Sequence, residues 1–167
     1  MRKIIILLAA SVVLLTACTV KYSLSGASIP PDAKTFSVAY FPNNAPMVAP
    51  ILSATMTDEL TQRFATRTAL TQVEEGGDFA FEGEIVGYTS NTSSVSSGDY
   101  ALQNRLTITV KVKFTNAIDD KRSFNRNFSA YADYDSTKLL TEVESELIPQ
   151  IVEQLVTDIF QAAASNW

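Results

Sequence analysis

The sequence contains no histidine and only one cysteine, Cys18, in its 167 residues. One cysteine cannot form a disulfide within the chain. Without imidazole, and with no second thiol, zinc sites built on Cys and His and catalysis by Ser-His or Cys-His pairs are excluded. A site made of carboxylates alone is the remaining catalytic possibility. We therefore expect a protein that is not an enzyme and that needs no metal or cofactor.

Long apolar runs are also scarce. The one long run extends from Ile4 to Leu15, is broken by Ser11, and follows the basic residues Arg2 and Lys3. At about 1.5 Å per residue, such a run is too short to span roughly 30 Å of hydrocarbon as a helix. A basic start, a short apolar core and small residues after it are typical of a secretory signal peptide. We predict no transmembrane helix in the processed chain.

The segment Leu15-Thr16-Ala17-Cys18 matches the bacterial lipobox. That resemblance implies cleavage before Cys18, acylation of its sulfur (with palmitate, for example) and acylation of the new amino terminus. Each buried methylene contributes about 0.8 kcal/mol, so two or more acyl chains hold a protein stably in a membrane. Thr19 stands where lipoproteins retained in the inner membrane have Asp, which favours the outer membrane. The predicted organisation is a signal peptide over 1–17, a lipidated tether over 18–34 and a folded domain over 35–167.

Positive charge is in deficit. Removal of Arg2 and Lys3 with the signal peptide leaves 11 basic residues against 18 acidic ones, a net charge of −7. Such a chain is a poor candidate for binding nucleic acid, and an anionic ligand would need a local basic patch. The remaining 150 residues suit one domain with a sizeable core.

Hydrophobic periodicity predicts four strands and two helices. The clearest element is Arg105 to Thr115, where apolar and polar residues alternate without a fault. The others are strands over 35–41, 79–89 and 123–133, a helix from Pro50 to about Thr66, and a helix capped by Ser136 that continues through a kink at Pro149. The polar run Ser90 to Gly98 is expected to be a mobile loop, and Asp119-Asp120 a hairpin turn.

The order β-α-β-β-β-α predicts an α+β, two-layer sandwich with a four-stranded sheet and both helices packed on one face. The other face of the sheet would be polar and uncovered. Six of the 11 basic residues lie between Arg105 and Arg126, the sixth being Lys121. Five of them form a hypothetical site for a ligand or a partner: Arg105, Lys111, Lys113, Arg122 and Arg126. The alternative is that they are ordinary side chains on a solvated sheet face.

The second predicted strand raises two further questions. Alternation places Phe79, Phe81 and Ile85 on one face and Glu82, Glu84 and Tyr88 on the other. The two glutamates are candidates for a hydrolase with paired carboxylates, but no third polar partner is apparent and a solvated face explains them equally well. Two glycines inside this strand, Gly83 and Gly87, indicate a bulge, a bend or a close approach by another group.

Several short motifs, taken together and in order, resemble one family. After the lipobox come Tyr22-Ser23-Leu24-Ser25-Gly26, Ile29-Pro30-Pro31, Tyr40-Phe41-Pro42-Asn43-Asn44, Phe81-Glu82-Gly83-Glu84-Ile85, Leu106-Thr107-Ile108-Thr109-Val110 and Tyr131-Ala132-Asp133-Tyr134. They are similar to the LptE family of lipopolysaccharide-assembly lipoproteins, in its Bacteroidota-type branch. The resemblance covers essentially the whole mature chain.

The resemblance implies a four-stranded sheet with two helices and a place at the periplasmic face of the Gram-negative outer membrane. It implies a partner, the outer-membrane β-barrel LptD, in which the protein is a plug, and a role in placing lipopolysaccharide in the outer leaflet. Family members contact lipopolysaccharide through basic residues and the loop between the second and third strands, here Ser90 to Leu102, which lacks Lys and Arg. The alternative function is regulation of a cell-wall synthase or another envelope complex.

Overall fold

A computed structural model describes residues 29–93 and 102–164 of the chain. The predicted signal peptide, Cys18, the first part of the tether and most of the predicted polar loop lie outside the described residues. In chain order the elements are β1 (Thr35–Val38), α1 (Leu52–Arg67), β2 (Thr71–Gln72), β3 (Phe79–Ser93), β4 (Gln103–Asn116), a 3₁₀ turn (Asp120–Arg122), β5 (Phe124–Asp135) and α2 (Leu140–Ala164).

The five strands form one sheet in the order β2-β1-β3-β4-β5. β1 is parallel to both β2 and β3, whereas β3, β4 and β5 form an antiparallel meander. The predicted α+β sandwich is confirmed, with five strands rather than four. The additional strand, β2, has two residues, and Thr71 N–H donates to Lys34 O at 2.8 Å. A two-residue strand has no detectable period, so the sequence could not predict it.

Both helices pack on one face of the sheet. In α1 the predicted stripe is fully buried: Leu52, Met56, Leu60 and Phe64. α2 buries a broader face and passes through Pro149 as one helix, with Pro149 on its exposed side. There the backbone carbonyl that loses its N–H partner can be solvated, so the proline is tolerated. α2 begins at Leu140 and not at Ser136, because Glu142 reaches back to accept from Leu139 N–H at 3.1 Å.

Phe64 lies at the centre of the core. Its ring centroid is 4.6 Å from that of Phe81 on β3, 5.0 Å from that of Phe160 on α2 and 5.8 Å from that of Phe36 on β1. These separations are typical of favourable aromatic pairs. One side chain of α1 therefore joins the sheet to the second helix.

β1 is shorter than the predicted strand but its chain continues beside β3. Ala39 N–H donates to Phe81 O at 2.8 Å, and Ile85 exchanges backbone hydrogen bonds with Pro42 O and Asn44 N, each at 2.9 Å. Pro42 has no N–H to donate, so a regular ladder cannot form through it. Phe41, within this segment, is buried against Gly83, where a Cβ would lie 2.4 Å from the Phe41 ring.

The register of β3 against β4 shifts between Ile85 and Gly87. This bulge reverses which side chains face the core, so Tyr88 is buried and not on the polar face as predicted. Its hydroxyl donates to Glu144 Oε2 on α2 at 2.9 Å. Burial, and then this bond to a carboxylate, raise the pKa of Tyr88.

β3 and β4 extend beyond the predicted strand end. Residues Ser90–Ser93 are paired with residues 103–106 and are strand, not loop. Ser90 hydrogen-bonds the hydroxyl of Tyr134 at 2.6 Å, which connects β3 to β5 beneath α2. Polar composition predicted a loop here, but hydrogen bonds along a long hairpin and one buried contact keep these residues in the sheet.

At the opposite end of the sheet, the side chain of Asp78 fastens the start of β1. One carboxylate oxygen accepts from Lys34 N–H at 2.8 Å, from Thr35 N–H at 2.9 Å and from the Thr35 hydroxyl at 3.0 Å. The two backbone bonds are the main cause that lowers the pKa of Asp78. This clamp marks where the predicted tether meets the folded domain.

Candidate functional site

The sheet face opposite the helices is polar across β3, β4 and β5. In β4 the apolar members of the alternation are buried beneath the helices, and the polar members from Arg105 to Thr115 lie on the other side. On this open face Thr109 pairs with Ser129 of β5, hydroxyl to hydroxyl, at 3.1 Å. Among the described residues, both helices pack on the other side of the sheet, so this face is the candidate functional surface.

The two lysines of the open face are paired with the two glutamates. Because Lys113 lies opposite Glu82 and Lys111 opposite Glu84, their charged atoms come within 3.3 Å and 3.9 Å. Glu84 also accepts from the Asn44 side-chain amide at 2.7 Å. The two carboxylates thus belong to two separate ion pairs. These pairs explain why Glu82 and Glu84 lie on this face, so the paired-carboxylate hydrolase is not needed to explain them.

Arg105 is held more firmly than the lysines. Its guanidinium donates through Nε and Nη2 to the two oxygens of Asp133, at 2.7 Å and 2.8 Å, and lies 3.7 Å from the ring centroid of Tyr131. Bidentate pairing with a stacked aromatic ring is a geometry that arginine favours. The hydrogen bond from Arg105 lowers the pKa of Asp133, and the same bond raises the pKa of Arg105.

Asp133 and Tyr131 were not among the predicted site residues. The signal that could have located them is the register of the hairpin. Counting outward from the Asp119-Asp120 turn along both strands places residues 131–133 of β5 beside the start of β4. With them the open face is no longer a basic patch. Three cations, Arg105, Lys111 and Lys113, face three carboxylates across neighbouring strands.

The remaining two predicted basic residues are not on this face. Arg122 belongs to the 3₁₀ turn at the end of the hairpin and pairs with Asp119 at 3.5 Å. Arg126 lies opposite the core residue Val112 and points to the helix side of β5, where its guanidinium is 4.8 Å and 4.7 Å from the ring centroids of Phe124 and Phe128. Grouping all five residues on one surface was therefore wrong, because β5 alternates and even-numbered residues face the helices.

A shallow depression of about 320 Å³ lies on the open face where the two lysine pairs meet β5. Its walls are the four charged side chains, with Pro42, Gly83 and Asn125 around them. A depression with two ammonium and two carboxylate groups can receive polar or zwitterionic groups.

The described part of the chain offers neither a metal-binding cluster nor a membrane-spanning helix. Within residues 29–93 and 102–164, no three acidic residues come together as a group that could hold a metal ion. In the same ranges no helix combines the length and apolar character needed to cross a membrane.

Comparison with known proteins identifies the fold. The family model for LptE, described as lipopolysaccharide-assembly, matches residues 33–163. No curated protein matches the chain. Two similar solved structures are a minor lipoprotein from Acinetobacter baumannii (15% identity, 77% of this chain and 91% of that one, TM-score 0.50) and lipoprotein B from Nitrosomonas europaea (14% identity, 89% and 91%, TM-score 0.51). At these identities the structures support the shared fold alone.

Proposed function

The chain belongs to the LptE lipopolysaccharide-assembly family, and on that premise we propose that it is a lipoprotein of the outer membrane, anchored through Cys18 on the periplasmic side. We further propose that it partners an LptD-type β-barrel as a plug and assembly factor. In this role it assists the insertion of lipopolysaccharide into the outer leaflet and catalyses no reaction. The lipobox and the signal peptide support the anchor, and the family supports the role in lipopolysaccharide assembly.

The observation that carries the proposal for a barrel partner is the open sheet face with its cross-strand ion pairs. The lumen of a large outer-membrane barrel is polar, whereas its outer wall is apolar. A surface of hydroxyls, amides and neutralised charges can form hydrogen bonds with such a lumen. An apolar surface would instead suit a membrane or a hydrophobic groove.

The dimensions of the domain support the same proposal. A helix of 25 residues such as α2 is about 37 Å long, and five strands about 4.8 Å apart make a sheet roughly 20 Å wide. Barrels of 16 to 18 strands leave an open channel, and barrels of about 22 strands hold a plug. A domain of this width therefore fits a barrel at the large end of the range.

Lys111 and Lys113 are the cations of the open face that we propose meet a phosphate group of lipopolysaccharide. Their side chains keep about half of their exposure, 49% and 55%, and their ion pairs are long and solvated. Such pairs contribute little to stability, so a lysine can exchange a carboxylate for a phosphate at little cost. Arg105 is held bidentately by Asp133 and stacked on Tyr131, and we assign it to ordering the face.

The test of Lys111 and Lys113 must distinguish loss of phosphate binding by the lysines from the effect of leaving Glu82 and Glu84 without a cation. In Lys111→Gln with Lys113→Gln, Glu82 and Glu84 lose their cationic partners, so a loss of function has two explanations: a lost binding group or an unbalanced negative charge. Adding Glu82→Gln and Glu84→Gln removes the unpaired carboxylates as well. If the lysines bind phosphate, the fourfold variant stays defective in binding purified lipopolysaccharide. Recovery of binding in that variant would contradict the proposal.

The partner is tested by affinity purification of a tagged, lipidated chain from membranes. We expect an LptD-type barrel to copurify, and depletion of the chain to leave that barrel misassembled or lipopolysaccharide absent from the cell surface. Copurification of a peptidoglycan synthase without the barrel would favour the alternative, a regulator of a cell-wall enzyme. Cys18→Ala tests the anchor, because it removes the cysteine that the lipobox resemblance implies is the site of both cleavage and acylation.

A further inference from the structure

The last strand of the sheet, β5, has a free edge among the described residues. It pairs with β4 over all twelve of its residues in one unbroken register, and residues 29–93 and 102–164 contribute no strand to its other side. It contains neither a proline nor a bulge. Natural proteins protect exposed edges with prolines, bulges or inward-pointing charges, because a regular edge is a template for another strand, and of these devices β5 carries only the charge of Arg126.

The direction of the backbone groups of β5 follows from the hairpin register. Ser136 N–H donates to Leu102 O at 3.1 Å, one step beyond the pair Asp135 and Gln103. Even-numbered residues therefore direct their backbone groups towards β4. The odd-numbered ones, including Asn127 and Ser129, direct their N–H and C=O outward, as a second strand would require.

A groove lies beside this edge, between β5 and α2. Its volume is about 590 Å³, and its lining combines Arg126, Asn127, Phe128 and Ser129 of the strand with Asp158, Gln161 and Ala162 of the helix. An edge strand with a helix alongside it is the arrangement in which domains bind an extended peptide by strand addition. Backbone bonds supply affinity there, and side-chain pockets supply specificity.

Arg126 and Asp158 are the two charged side chains that line this groove, and Arg126 is the one that belongs to the edge strand. Of the five basic residues predicted to form a site, the other four each have a carboxylate partner, at 2.7 to 3.9 Å. Arg126 instead lies over the rings of Phe124 and Phe128, and no ion pair within residues 29–93 and 102–164 includes it. Within the described residues, ring contacts and not an ion pair therefore hold this guanidinium.

We propose that the β5 edge and the groove beside α2 bind an extended segment of a partner protein by strand addition. The segment carries an acidic side chain opposite Arg126 and a small or apolar one over Phe128 and Ala162. Its backbone pairs with the outward N–H and C=O groups of β5. The groove lies on the helix side of the sheet, whereas the hydroxyl of Ser129, at the same edge, belongs to the open face.

The probe is a set of three synthetic ten-residue peptides of alternating Thr and Val, with Glu, Gln or Lys at one central position. Each is titrated into the isotopically labelled mature chain, lipidated and held in detergent micelles, and binding is followed by NMR. We expect shifts at the amides of β5 and of α2 near Asp158. The Glu peptide should bind about two- to fivefold more tightly than the Lys peptide, the size of effect expected for a partly exposed ion pair.

Two pairs of matched variants test the charge preference and the backbone pairing separately. Arg126→Gln should abolish the preference for Glu over Lys and leave backbone pairing, whereas Lys113→Gln on the other face should change neither. Asn127→Pro removes one outward N–H and should weaken all three peptides alike, whereas Asn127→Ala should not. If Asn127→Pro fails to fold, the Arg126→Gln comparison still tests the site.

Three results would overturn the proposal. The first is equal binding of the Glu and Lys peptides to the unmodified chain. The second is a set of shifts confined to the open face or to β1. The third is slow hydrogen exchange at the odd-numbered amides of β5 before any peptide is added, because those amides would then already be covered by another part of the chain or by a second copy.

Discussion

Replacing Phe64 by alanine tests whether one aromatic side chain of α1 holds the two layers together. Phe64 is fully buried and contacts the rings of Phe36, Phe81 and Phe160, which belong to β1, β3 and α2. Truncating this one side chain removes all three ring contacts. The variant therefore removes the common contact of the sheet and both helices.

The expected cost follows from the size of the side chain and from its burial. Truncation of a buried phenylalanine to alanine costs about 3 to 5 kcal/mol, which includes the cavity left behind. The three aromatic contacts place Phe64 in the upper part of that range. Alanine is a better helix former by roughly half a kcal/mol, which offsets a small part of the loss. For a domain of this size, 4 kcal/mol corresponds to a fall in Tm of about 8 to 16 °C.

Urea unfolding of the mature chain with Cys18 replaced by Ser measures this loss without a lipid. Phe64→Leu, which keeps most of the volume, should cost much less than Phe64→Ala, and Ala65→Ser on the exposed side of the same helix should cost little. An unfolding free energy that falls by less than about 1 kcal/mol in Phe64→Ala would refute the central position of this residue.

Three other predictions concern the polar contacts and the glycines. The folded-state pKa of Asp78 is lowered, so this carboxyl binds a proton more readily in the unfolded chain than in the folded one. The stabilisation by Asp78 is therefore present above about pH 4 and is lost as pH falls through the folded-state pKa. Acid titration of Asp78→Asn should show a weaker loss of stability than that of the unmodified chain. Gly83→Ala should lower the free energy of unfolding by about 1 to 3 kcal/mol, because a Cβ there would lie 2.5 Å from a backbone oxygen of β4. Gly87→Ala should cost less, because the nearest atom to a Cβ there is in a threonine side chain at 3.1 Å. Equal losses of the two variants in urea unfolding would contradict this account. Tyr88→Phe should cost about 1 to 2 kcal/mol by leaving Glu144 without its donor, and ultraviolet titration should show that one tyrosine, absent in this variant, ionises at higher pH than the rest.

The regular elements could be predicted because their signals are local. Apolar residues recur at every second position in β4 and at every fourth position in α1, which predicts that these side chains are buried. The structure buries them. The errors occur where a single residue changes the pattern. The bulge after Ile85 reverses the remaining alternation of β3 and moves Tyr88 to the core, and nothing in the composition of the strand locates that bulge beyond the presence of Gly83 and Gly87.

The candidate site shows a similar division. The sequence places Arg105, Lys111 and Lys113 on one polar face, which the structure confirms, and it supplies the motifs of the family. Whether those cations are free or paired depends on the residues opposite them in neighbouring strands. Glu82, Glu84 and Asp133 neutralise them only because the strands pair in this register and no other.

The sequence by itself determined the class of fold, the polar character of one sheet face, the lipobox at Cys18 and the family. These depend on the order and periodicity of residues along the chain. The tertiary structure decided that the open face is a set of ion pairs and not a basic patch, that Arg126 lies on the helix side, and that the edge of β5 borders a groove. These depend on which strand lies beside which, and contacts between distant segments form only when the chain folds.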